Sequence, residues 1–163
     1  MKKILSVLLA SLVLLLAGCG VSDQDIKESI PTLTMTTEDI PYSIPAYSYS
    51  WTLTDRWGNG SSMATDTAHP LEAQEDLTTA ALTAGAEVSL KFSKTPDSVS
   101  VVYWSADETD YENSTQLDTQ FLDGAFHFTV PEADGQMVFS VTGLWNSYDN
   151  ISGTVTYCFT TVG

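Results

Sequence analysis

The chain has 163 residues, a formal net charge of −15 and 43% apolar residues. That length leaves room for one domain and little more. So acidic a balance excludes a nucleic-acid binder, which needs a basic stripe, and excludes electrostatic adhesion to an anionic lipid surface.

Met1-Lys2-Lys3 is a short basic start, and Ile4 to Ala17 is an unbroken apolar and small-residue run, the pattern of a secretory signal. As a helix the run spans roughly 21 Å, short of the ~30 Å hydrocarbon core, so a permanent membrane helix is the weaker reading. It ends in Leu16-Ala17-Gly18-Cys19. These residues, in register behind the basic start and the apolar stretch, resemble the lipobox of bacterial lipoproteins. The resemblance implies removal of residues 1–18, a diacylglyceryl lipid on the Cys19 thiol, and a place on the extracytoplasmic face of the cell membrane. Two acyl chains at ~0.8 kcal/mol per buried methylene hold a protein there, where one chain binds only reversibly. A thioether at Cys19 cannot pair with Cys158, the other cysteine, so no internal disulfide is expected. Loss of Lys2 and Lys3 makes the mature chain two charges more negative.

Residues 19–30 read as the lipidated cysteine and a polar tether, reaching at most ~40 Å. Residues 31–163 read as the domain. Pro31, Pro41 and Pro45 punctuate its start and leave "TLTMTT" as a first edge strand. "AYSYSWTLT" alternates Tyr47, Tyr49, Trp51 and Leu53 against Ser and Thr, so its aromatic face belongs in a core. Asn59-Gly60 suggests a tight hairpin with "SSMAT" returning. "DTAHPLEAQEDLTTAALTAG" leans towards a short helix, with Pro70 at a first helical position and Glu72, Glu75 and Asp76 near its start.

Strand character resumes in "AEVSLKF", "SVSVVYWS", "GAFHFTV", "QMVFSVTGLW" and "ISGTVTYCFTTV", with a long acidic loop between Ala106 and Asp123 that has room for one short strand. Seven or eight strands with turn signals at short intervals point to an antiparallel, immunoglobulin-like β-sandwich. "YSWTL", "DTAHPLE" and "PDSVSVVYWS" are similar to segments of small immunoglobulin-like domains on lipoproteins and surface proteins of Gram-positive bacteria. That resemblance implies the sandwich and the location and transfers no catalytic residue.

Enzyme motifs are absent: no nucleophile elbow, no paired-histidine zinc helix, no phosphate loop, no Cys-x-x-Cys. His69 and His127 read as surface or structural residues, since proton transfer needs a positioned partner. Cys158 lies among threonines on the outer face of its strand and reads as passive. Asp107, Glu108, Asp110 and Glu112 are weak calcium candidates, because hard oxygens are clustered there without the spacing or glycine of a calcium loop.

Loop aromatics are the stronger candidates, because flat rings beside carboxylates suit glycan or peptide contact. Counting antiparallel passes places loops 66–85, 106–123 and 146–150 at one end. The turns at 55–60, 93–97 and 131–135 fall at the other end, with the tether. The expected site therefore gathers His69, Asp107, Asp110, Tyr111, Trp145, Tyr148 and Asp149, with Trp57 opposite. Noncatalytic recognition of a surface glycan, peptide or partner protein is the favoured reading. The alternatives are a structural or accessory envelope domain with no ligand, and thirdly an unrecognised hydrolase.

Overall fold

The computed structural model describes residues 21–162 apart from Asp134 and Asp149, with Ser147 and Tyr148 described in backbone only. The leader and Cys19 lie outside the described residues. One sheet contains β1 (Leu33–Thr37), β2 (Ile40–Ile44), β6 (Glu87–Phe92), β9 (Gln120–Leu122) and β10 (Ala125–Thr129). The second contains β3 (Ala46–Thr54), β4 (Gly60–Thr65), β5 (Thr78–Ala80), β7 (Ser98–Ser105), β8 (Thr115–Leu117), β11 (Met137–Tyr148) and β12 (Ile151–Thr161). All pairings are antiparallel except that of β5 with β12. The β-sandwich inferred from the sequence is present, with twelve strands among the described residues where seven or eight are expected. The additions are the short pieces β2, β5, β8 and β9.

Alternation explains the core. Val155, Tyr157 and Phe159 of β12, Val88 and Leu90 of β6, and Phe139, Val141 and Trp145 of β11 point between the sheets and are buried. Each large side chain so buried contributes about 1.5–3 kcal/mol. Trp51 meets Trp145 edge to face at 5.3 Å, and Phe139 stacks on Phe159 at 4.9 Å. Gly143 makes room for the first pair: a β-carbon there would lie 2.5 Å from the Trp145 ring.

A smaller apolar cluster sits on the outside of the larger sheet. The chain from 66 to 77 folds back over that face with two 3₁₀ turns, burying Leu71, Trp104 and Val138, and β5 then joins the sheet beside β12. The expected helix is therefore two single turns, Pro70–Glu72 and Gln74–Asp76, with Pro70 at the first helical position as read.

The expected tether is also different. Asp23–Ser29 form a helix, α1, whose start is closed by reciprocal bonds between Ser22 and Asp25. Ile26 is 1% exposed in the core, Val21 packs against it, and the Trp51 indole donates to Ser29 Oγ at 2.8 Å. Polar composition suggests a free linker here, but these anchors and a capping box dock the segment on β3 and β4.

The hairpin after β3 differs in detail. Residues 55–59 connect the strands, Asp55 accepts the backbone N–H groups of Trp57 and Asn59, and the positive φ belongs to Gly58 at 85°, not to Asn59-Gly60.

Candidate functional site

The registers fix which loops share an end. Ser105 of β7 is opposite Met137 of β11, and Tyr148 of β11 is opposite Ile151 of β12, which in turn is opposite Leu53 of β3. The connection after Tyr148 therefore lies beside the Asp55–Asn59 hairpin, and the Thr54 N–H donates to the Asn150 carbonyl across it. Tyr111, between β7 and β8, belongs to the opposite end. The expected gathering of Tyr148 with Tyr111 is thus overturned. The cause is the run through β8 and β9, one extra pass along the sandwich inside the presumed acidic loop. It reverses the parity of every later connection, so the loop between β10 and β11 also changes ends, and the Ala106 N–H donates to the Gln136 carbonyl.

Trp145 is a second correction. Its ring is fully buried, and its indole donates to the Lys94 carbonyl at 3.0 Å, so it is core and offers no ligand surface. Asp149 and the Tyr148 side chain lie outside the described residues. Trp57 is 74% exposed at the hairpin end, with the Arg56 guanidinium 4.8 Å above its ring.

The remaining expected residues do converge. His69 stacks on Tyr111 with centroids 4.2 Å apart and planes 7° apart, and meets Trp104 edge to face at 5.0 Å. The Tyr111 hydroxyl donates to Glu72 Oε1 at 2.6 Å, and that bond raises its pKa. The Trp104 indole donates to the Tyr111 carbonyl at 3.0 Å. Gln74 Nε2 donates to the carbonyls of Leu71 and Ala106, so the 66–77 and 106–114 loops are sewn together. His69 Nδ1 accepts the Leu71 N–H at 3.3 Å and caps the first 3₁₀ turn, which leaves Nε2 to carry the proton of the neutral ring.

Beside this cluster lies a shallow cleft of about 280 Å³ on the outer face of the larger sheet. Tyr47 and His69 form its walls, Trp104 backs it at 7% exposed, and Ser48, Ser140 and Thr156 supply hydroxyls to its floor. Tyr47 is the residue that sequence reasoning misassigns to the core. Thr156 pairs with Ser48 and Tyr157 with Ala46, so Tyr47 is the extra residue of a β-bulge. A bulge re-aims a side chain. The Tyr47 ring leaves the inner face and its hydroxyl donates to the Ala68 carbonyl at 2.8 Å. No turn residue in "AYSYS" marks the bulge, so alternation alone could not find it. Burial pushes the Tyr47 phenol pKa up, and Glu72 and Asp76 push it the same way.

Of the acidic loop, Asp107 and Asp110 sit at the same end as the cleft, but their carboxylates are engaged locally. Asp107 accepts from the Ser105 hydroxyl, Glu108 from the N–H groups of Thr109 and Asp110, and Asp110 from that of Glu112. The bonds to the Asp110 N–H, to Asn113 and to the Thr109 N–H lower the Glu108 pKa. Among the described residues no three His, Cys, Asp or Glu side chains are grouped to hold a metal ion. His127 has a partner that the sequence did not reveal: its Nδ1 lies 3.1 Å from Glu87 Oε1 on the outside of the smaller sheet. Comparison with family models, with curated proteins and with solved structures finds no match to this chain.

Proposed function

We propose that the chain is a lipid-anchored protein of the extracytoplasmic cell surface, and that it binds a glycan noncatalytically in the Tyr47–His69–Trp104 cleft. The observation that carries the binding reading is the convergence of the half-buried Tyr47 and His69 rings over a floor of hydroxyls. Aromatic faces pack against the C–H faces of a sugar, while hydroxyls and the Ala68 carbonyl satisfy its polar edge. The latch from Tyr111 to Glu72 holds the rim in place before a ligand arrives, which lowers the entropy cost of binding. The anchor reading is supported by the Leu16 to Cys19 motif behind its apolar run.

A glycan array probed with the full chain tests the first part. His69→Ala and Tyr111→Ala weaken binding about tenfold or more, on the scale of a lost stacking partner, whereas Trp57→Ala at the far end binds as the parent does. Loss on Trp57→Ala, or flat curves for every glycan, removes the reading; the latter favours an accessory domain without a ligand. Mass spectrometry of the mature N-terminal peptide tests the second part, with a diacylglyceryl cysteine expected at Cys19.

A further inference from the structure

Charge is spread unevenly along the sandwich. The connections at the cleft end, residues 38–39, 66–77, 81–86, 106–114 and 131–133, hold eleven of the 21 carboxylates and no lysine or arginine. The four basic residues of the described chain lie elsewhere: Lys27 on α1, Lys91 in β6, and Arg56 and Lys94 in the turns at the opposite end. A one-signed field over a concave surface concentrates ligands of the opposite sign. The same cleft supplies ring faces, which attract a cation through their quadrupoles. Its Ser48, Ser140 and Thr156 oxygens and the Ala68 carbonyl accept hydrogen bonds, as ammonium N–H groups require. Glu72 stands at the rim of the cleft, where it accepts from the hydroxyl of Tyr111, whose ring stacks on His69, and Asp76 lies in the next 3₁₀ turn.

We propose that the cleft selects glycans bearing free amino groups, a refinement that rests on the glycan reading above. The rings and hydroxyls hold the sugar, and Glu72 and Asp76 attract its ammonium group. Acetylation of the amine removes the charge and with it the attraction, so a neutral N-acetylated unit binds less well.

The test is calorimetric titration of the full chain with three probes: a glucosamine tetramer, an N-acetylglucosamine tetramer and tetralysine. The glucosamine tetramer is expected to bind about tenfold more tightly than its acetylated form at low salt, the scale of one cation over rings plus two exposed carboxylates. The margin shrinks as salt is raised. Glu72→Gln combined with Asp76→Asn narrows it to about threefold or less, by loss of the same charges. Glutamine still accepts from the Tyr111 hydroxyl, and an unchanged melting temperature shows that the loops remain latched. Equal affinity for the two sugars overturns this inference and leaves the glycan reading standing. Tetralysine binding as tightly as the glucosamine tetramer makes a basic peptide the ligand and overturns both, whereas binding of none of the three overturns this inference and leaves the glycan reading to the array.

Discussion

Cys158 sits 2% exposed on the outer face of β12, beside the Ser140 hydroxyl, and burial raises its thiol pKa to about 12. The native thiol keeps its proton where an unfolded one, near 9.0, has lost it. The folded state therefore binds more protons across this window, and stability falls as pH rises from about 9 towards 12. At pH 8 a thiol reagent is expected to leave the folded protein unlabelled and to label it fully in denaturant. Rapid labelling of the native chain would show this face of β12 to be open. The place of Cys158 on the threonine-bearing face was legible from alternation, but its burial was not, since the sequence reads that face as the outside of the sandwich. Tyr47 carries the same lesson in reverse: its period places it in the core, and one inserted residue moves it to the cleft.

Elements with strong alternation, β3, β6, β7, β10, β11 and β12, were readable because each buries one face. Of the short strands, β5 was not, and β8 and β9 were foreseen only as room for one unplaced strand in the acidic loop, since three residues cannot display a period. Missing β8 and β9 cost more than two strands, because orientation of every later loop depends on the count of passes. The site was thus half legible: His69 and Tyr111 precede the miscount, and Tyr148 follows it. Glycine placement allows a sharper test of the register. Gly153 has φ 139°, and a β-carbon there would collide with the Ser50 carbonyl oxygen. Gly153→Ala is expected to destabilise by about 3 kcal/mol or more. Gly58, at φ 85° in open space, costs about 1 kcal/mol when replaced by alanine. Thermal melts that rank the two equally would count against the pairing of β12 with β3.

For the molecule as a whole, the docked N-terminal helix changes how the domain relates to what precedes it. Ser22→Ala removes the side chain that bonds the Asp25 N–H and is expected to cost about 1 kcal/mol. The loss appears as faster amide exchange across 23–29, while exchange in β11 and β12 is unaltered. Equal exchange in the variant and the parent would mean that the packing of Ile26 and Val21 and the Trp51 bond to Ser29 hold the helix without the cap.

With a lipid on Cys19, as proposed, the packed Val21 leaves the domain a leash of about two residues. Such a leash reaches ~7 Å, where a linker of about eleven residues reaches ~40 Å. The volume the domain can sweep falls as the cube of that reach, by roughly two hundredfold. Such a domain does not fish in the surrounding medium; it meets only what is presented to it within its own height of the surface. Its effective concentration towards neighbours in that layer is correspondingly high.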